Sequence, residues 1–154
     1  MPNRPYIVGN WKMNGLRAAL SEARSIDRGA QRHPGVRVGI APPFTLIHAM
    51  AEAAQALYVG GQDCHSKASG AFTGDISAAM LKDAGAGFTI VGHSERRTHF
   101  GETDETVAKK TRAALAQSMT AIACVGETLA EPEVVPRSDA REIAAHVVLV
   151  RHEA

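Results

Sequence analysis

The sequence predicts an α/β fold built on a parallel sheet whose strands are covered on both faces. Short apolar runs of strand length alternate with segments whose apolar residues recur every three or four positions, as on one face of a helix. The strand-like runs are apolar throughout, which is typical of parallel strands buried on both faces. This pattern gives about five β/α units and fits either an open doubly wound sheet or part of a β/α barrel.

Five strands and the helices between them follow from these runs in chain order. Strands are predicted at residues 6–8, 36–40, 57–59, 88–91 and 121–125, with a long loop at 62–74. Ser77 and Thr103 are predicted N-caps, and Gly85 is the predicted stop of a short helix. Three helices are predicted from apolar residues at helical spacing: Leu16, Leu20, Ala23, Ile26 and Ala30; Leu46, Ile47, Met50, Ala53 and Ala54; and Val107, Thr111, Ala114 and Leu115.

The sequence changes character after Glu131, where two prolines interrupt any helix. Asp139 followed by Glu142 resembles a capping box. Residues 147–150 fit either one face of a helix or a strand. We therefore divide the chain into a partial β/α domain at 1–131 and a divergent C-terminal tail at 132–154.

Composition excludes several classes of protein. The chain has 154 residues, 45% of them hydrophobic and 21% charged, and its net charge of +1 gives no electrostatic reason to expect nucleic-acid or membrane binding. No apolar run approaches the about 20 residues that span a bilayer, and the N-terminus does not resemble a signal peptide. Two distant cysteines, Cys64 and Cys124, indicate neither a disulfide framework nor a metal site. A cytoplasmic setting is expected.

Polar residues follow two of the predicted strands, at the sheet edge where β/α folds carry function. Asn10 and Lys12 share one side of the first strand's end, and a lysine there suits an anion. Taken alone, they are more simply a turn asparagine and a solvated lysine. His93 lies at a predicted helix start, where the helix dipole disfavours imidazolium, with Glu95 in the first turn. Taken alone, this is more simply a capping cluster.

Five motifs in order are more specific than any one of them. They are Asn10-Trp11-Lys12-Met13-Asn14, Ala41-Pro42-Pro43, Gly70-Ala71-Phe72-Thr73-Gly74, Gly92-His93-Ser94-Glu95-Arg96-Arg97 and Cys124-Val125-Gly126-Glu127. Together they resemble the triosephosphate isomerase family over residues 4 to about 131. The resemblance implies part of a TIM (β/α)8 barrel, about five of its eight β/α units, and hence a partial TIM-barrel domain at 1–131.

The resemblance also implies residue roles. Asn10 and Lys12 match the family's substrate-binding pair, and His93 matches the electrophile that polarises the substrate carbonyl. In that family the helix N-terminus lowers the pKa of this histidine, so the neutral imidazole acts together with a glutamate base. Glu95 matches a charged partner near Lys12, and Thr73 matches the loop tip that enters the neighbouring subunit of a homodimer. The implied reaction interconverts glyceraldehyde 3-phosphate and dihydroxyacetone phosphate, in glycolysis and gluconeogenesis, without cofactor or metal.

Two of the family's features are missing from these residues. The glutamate base, in a Tyr-Glu-Pro-Val-Trp segment, and the later glycine-rich phosphate loops do not occur in the sequence. We therefore expect little or no activity from this polypeptide alone. We also expect exposed apolar side chains on the inner face of the sheet, and hence self-association or pairing with a complementary C-terminal fragment. A non-catalytic remnant and a small anion-binding module remain alternatives.

Overall fold

The strands form one parallel sheet, as the sequence predicts. The computed structural model describes residues 4–126 and 147–152. Within these residues the sheet has six strands whose spatial order is their chain order, each pairing in parallel with the next. They are β1 (Tyr6–Asn10), β2 (Arg37–Ala41), β3 (Tyr58–Gly61), β4 (Phe88–Val91), β5 (Thr120–Gly126) and β6 (Val147–His152).

The helices lie between the strands at the predicted places. They are α1 (Leu20–Arg32), preceded by a short 3-10 turn at Arg17–Ala19, α2 (Phe44–Ala53), α3 (Ala78–Asp83), α4 (Ser94–Phe100) and α5 (Asp104–Ala116). Both predicted N-caps are confirmed, since the Ser77 and Thr103 hydroxyls accept hydrogen bonds from the main-chain N–H groups of Met80 and Thr106. No helix within the described ranges is long and apolar enough to cross a bilayer.

The structure corrects the sequence interpretation at one residue and decides one alternative that the sequence leaves open. Leu16 does not lie on the buried face of α1, because it precedes the helix in extended conformation and is 81% exposed. The strand alternative holds at residues 147–150, since β6 pairs with β5 from Val147 onward. The other tail features, including Asp139 and Glu142, lie outside the described residues.

The sheet separates two apolar clusters. On its outer face, Ile40, Val59 and Val91 pack with buried residues of the helices, such as Ile47 and Leu81. The inner face carries a second cluster of residues that alternate with these along the strands. Its buried members are Ala41, Phe88, Ile90, Ile122 and Cys124, with Tyr6 and Val8 packed against them.

The expectation of an exposed inner face is wrong for these side chains. The five buried members are each at most 5% exposed. The Phe88 ring covers much of this face, because it lies over Gly39 and Gly60. Its edge-to-face contact with Tyr6 has ring centroids 5.9 Å apart. The exposed apolar residue of β1 is instead Ile7, on the outer face, at 61%.

Asp27 of α1 fixes the connection between α2 and β3. Its Oδ1 accepts hydrogen bonds from three successive main-chain N–H groups, those of Gln55, Ala56 and Leu57, at 3.0, 2.8 and 2.8 Å. Its Oδ2 accepts another from Gln31 at 2.8 Å. Burial raises the pKa of Asp27, but these hydrogen bonds outweigh it and hold the pKa below its ordinary value.

We expect Asp27→Asn to lower the free energy of unfolding by about 2 kcal/mol, because the amide is uncharged and accepts through one oxygen. Since the folded pKa of Asp27 lies below 3.8, its contribution is full above that value and disappears as the pH falls through the folded pKa. The difference in stability between the parent chain and the variant therefore shrinks as the pH falls from about 5 through the folded pKa. Urea unfolding across this range measures it. The exposed Asp83→Asn serves as the control, and equal losses in the two variants contradict the assignment.

Candidate active site

The chain leaves β1 through a strained turn that carries Lys12. The backbone of Lys12 is left-handed, with φ of 53°, which a residue with a Cβ rarely adopts. Two hydrogen bonds hold it there. The Lys12 N–H donates to Asn10 Oδ1 at 2.9 Å, and the Lys12 carbonyl accepts from Gln62 Nε2 at 2.8 Å. The chain itself therefore supplies the contacts that hold this turn.

Gln62 joins the ends of the first two strands. Besides the Lys12 carbonyl, its amide Nε2 donates to the carbonyl of Ala41, the last residue of β2, at 2.9 Å. The same carbonyl accepts from the Trp11 N–H at 3.0 Å. Gln62 follows β3 directly, so three strands contribute to the position of Lys12. Gln62 lies in the predicted long loop, and no sequence motif includes it.

His93 is the N-cap of α4. Its Nδ1 accepts a hydrogen bond from the Glu95 N–H at 3.2 Å. Since Nδ1 is an acceptor, it carries no proton, and a neutral imidazole then holds its proton on Nε2. The residue is buried, at 8% exposure. This agrees with the neutral form that the helix position favours.

Lys12 and Glu95 form an ion pair at the end of the sheet. Lys12 Nζ lies 2.6 Å from Glu95 Oε1, and both side chains are about half exposed. The hydrogen bond from the Lys12 ammonium holds the pKa of Glu95 below its ordinary value. Glu95 Oε2 also lies 3.7 Å from His93 Nδ1. Lys12 and Glu95, 83 positions apart in the chain, thus form an ion pair, and the Glu95 N–H connects this pair to His93.

Arg97 lies between the end of β4 and Cys124 of β5. Its guanidinium donates to the carbonyl of Gly92 through Nε at 2.9 Å and to the carbonyl of Cys124 through Nη2 at 3.3 Å. Its remaining Nη1 donates to Asp104 at 2.7 Å. Arg97 is the last residue of the fourth sequence motif, and Cys124 is buried.

A buried ionic cluster, which no sequence motif indicates, lies next to the site. Lys110 Nζ binds both oxygens of Asp63, at 2.8 and 3.0 Å, and also contacts Glu102. Arg96 Nε lies 2.7 Å from Glu102 and 3.0 Å from Asp63. Burial raises the pKa of Asp63. Burial also raises that of Glu102, but hydrogen bonds from Lys110 and Arg96 outweigh it, and the pKa is lowered.

The loop between β3 and α3 projects from the site. Its base is closed by a hydrogen bond from the His65 N–H to the Ile76 carbonyl at 2.8 Å. The His65 and Phe72 rings stack within it, with centroids 4.1 Å apart. Thr73, beside Phe72, is exposed. The structure thus places Asn10, Lys12, His93 and Glu95 together and Thr73 at a separate loop tip.

Comparison with known proteins identifies relatives of this chain. The family model described as Triosephosphate isomerase matches residues 5–149. Proteins with that name from Caulobacter vibrioides and Afipia carboxidovorans are 54% and 56% identical, over 82% and 83% of this chain. The chain spans about half the length of these relatives, 51% and 52%.

A solved structure gives the same result for the fold. The crystal structure of triosephosphate isomerase from Bartonella henselae superposes with a TM-score of 0.83 and 37% identity, over 96% of this chain and 67% of that one. The parallel sheet with its covering helices is therefore part of a TIM barrel, and this chain belongs to the triosephosphate isomerase family.

Proposed function

We propose that this chain provides the substrate-polarising part of a triosephosphate isomerase active site. The substrates are then glyceraldehyde 3-phosphate and dihydroxyacetone phosphate, with a place in glycolysis and gluconeogenesis. One observation carries the proposal. Lys12 Nζ lies 2.6 Å from the carboxylate of Glu95, the residue whose N–H binds His93 Nδ1, so a cation and a neutral imidazole are fixed at one sheet edge.

The chemistry of each group suits proton transfer next to a carbonyl. The Nε2–H of a neutral His93 donates to a carbonyl oxygen and stabilises the charge that develops there when the neighbouring carbon loses a proton. The Lys12 ammonium offsets the charge of a phosphorylated substrate. Asn10 holds the Lys12 turn, and Glu95 orients the ammonium. These groups stabilise an enediolate but do not remove the proton from carbon.

The base that removes this proton belongs to the family's Tyr-Glu-Pro-Val-Trp segment, which these 154 residues do not contain. Losing an essential catalytic group typically lowers the rate by orders of magnitude. We therefore propose that a polypeptide of these residues alone has little or no isomerase activity. Activity near that of an intact family member contradicts this.

Partners and location follow from the same family. We propose self-association through the loop that carries Thr73, which the structure leaves exposed. Association with a polypeptide that supplies the base segment is the second route to a complete site. A cytoplasmic location suits Cys64 and Cys124, which are both free and buried.

Ligand binding tests the site without requiring turnover. We expect the chain to bind phosphoglycolate more tightly than inorganic phosphate. Both are anions that Lys12 can bind, but only phosphoglycolate has a carboxylate that can also accept a hydrogen bond from His93. Lys12→Met is expected to weaken phosphoglycolate binding by about tenfold or more, as a charge-assisted hydrogen bond is lost. Titration calorimetry or chemical-shift perturbation measures both affinities.

Lys67→Met is the matched control, because it removes an exposed lysine of the β3–α3 loop and is expected to leave both affinities unchanged. Equal affinities for the two anions, each dependent on Lys12, favour the simple anion-binding module instead. Binding that is indifferent to Lys12 overturns the site altogether.

A further inference from the structure

We propose that Arg97 is a positioning residue that holds the His93 imidazole in one orientation and one tautomer. It does so by joining the end of β4 to Cys124 of β5, just beyond the last residues that pair these two strands. The inference deepens the proposed function, and it rests on that function only for the consequence in catalysis. The positioning itself is a property of the ligand-free chain.

The ladder between β4 and β5 ends two residues before His93. The last register pair is Val91 with Ala123. At the next position Gly92 turns out of the strand with φ of 67°. The Arg97 guanidinium bonds to the carbonyls of Gly92 and Cys124, each one residue beyond that pair. A side chain thus supplies the connection that the main chain no longer makes.

Arg97 is linked to His93 by its main chain as well. The Arg97 N–H donates to the His93 carbonyl at 3.0 Å, so Arg97 holds the Gly92–His93 segment on both sides. The ring orientation depends on this segment, because Nδ1 must face the Glu95 N–H at 3.2 Å. Rotation about the peptide preceding His93 moves the ring out of that contact.

The packing leaves the turn little room to adopt another shape. A Cβ on Gly92 would lie 2.7 Å from Val107 Cγ2 and 3.1 Å from Arg97 Nη2. The ion pair of Arg97 with Asp104 contributes little by comparison, because the Asp104 side chain is 96% exposed. The two carbonyl contacts are therefore the ones that position His93.

The tautomer of His93 in the ligand-free chain tests the proposal. Long-range ¹H–¹⁵N spectra distinguish a protonated Nε2 from a protonated Nδ1, and His93→Gln identifies the signals among the seven histidines. In the parent chain we expect Nδ1 to be unprotonated. The side chain in Arg97→Gln is short and neutral and cannot bridge the carbonyls of Gly92 and Cys124. In this variant the ratio of the Nε2-protonated to the Nδ1-protonated form of His93 is expected to fall about tenfold. Arg97→Lys keeps the positive charge but loses the planar guanidinium that reaches both carbonyls. We expect this variant to keep part of the parent tautomer ratio.

Two controls separate positioning from general effects. Asp104→Asn removes the exposed partner of Arg97, and Arg112→Gln removes an exposed charge of α5; both are expected to keep the parent signature. A parent-like tautomer in folded Arg97→Gln overturns the proposal. If that variant does not fold, Arg97→Lys is measured instead, with the same criterion. Unfolding of both variants also overturns it, since Arg97 is then a determinant of the fold. Failure to bind phosphoglycolate bears on the proposed function alone.

Discussion

Lys110→Met is expected to lower the free energy of unfolding by about 3 to 5 kcal/mol. The Lys110 ammonium is buried between Asp63 and Glu102, whose side chains are 11% and 5% exposed. Without it, two carboxylates remain buried with Arg96 as their cation. One oxygen of Glu102 already has no hydrogen-bond partner among the described atoms. Urea unfolding at neutral pH measures the loss.

The adjacent lysine provides a matched control. Lys109 lies on the same helix and pairs with Glu105 at the surface, where it is 54% exposed. Lys109→Met is expected to change stability by less than about 1 kcal/mol. Comparable losses in the two variants contradict the assignment of a buried cluster.

Acidification gives an independent measure of the cluster. The pKa of Glu102 lies below its ordinary value of 4.5 in the folded chain, so its contribution is full above that value. It is lost as the pH falls through the folded pKa. In Lys110→Met the principal hydrogen bond to this carboxylate is gone, so the stability gap between parent and variant narrows below that pH.

Phe88→Ala is expected to cost about 3 to 5 kcal/mol, because it empties the centre of the inner apolar cluster. The ring is 1% exposed and lies directly over Gly60, where a Cβ would come within 2.4 Å of it. Thermal or urea unfolding measures the loss. Phe100→Ala is the control, since Phe100 is 67% exposed and its contact with Arg96 is worth about 1 kcal/mol or less.

Coupling between the ring and the glycine sharpens this prediction. Gly60→Ala alone is expected to destabilise the chain, because the added Cβ collides with Phe88. Combined with Phe88→Leu, the same change is expected to be less harmful than the sum of the two single losses. Strict additivity contradicts the packing of the ring on Gly60.

The sequence predicted those parts of the fold that depend on neighbouring residues. The apolar run 88–91 became β4 without change, and Thr103 caps α5 through the next turn of chain. The sequence pattern ends the third strand at residue 59, but β3 continues through Gly60 and Gly61. It can do so because these glycines leave room for the side chains of Phe88 and Leu81. These contacts come from distant elements that periodicity does not report.

The same distinction holds for the site. Lys12, His93 and Glu95 lie in motifs that a sequence displays directly, and the structure brings them together. The supporting contacts do not show in this way. Lys110 is 47 positions from Asp63 in the chain, and Gln62 is 50 positions from Lys12. Their roles depend on the order and register of the sheet, which bring the ends of β1 to β4 to the same end of the sheet.

The pairing of Lys12 with Glu95 makes ligand binding an exchange of one anion for another. An incoming phosphate or carboxylate competes for the Lys12 ammonium with Glu95, which lies 2.6 Å from it, and an anion that takes this position displaces Glu95. The displaced carboxylate loses the hydrogen bond that lowers its pKa, so its proton affinity rises. Binding is therefore linked to proton uptake at acidic pH, and added salt competes for the same ammonium.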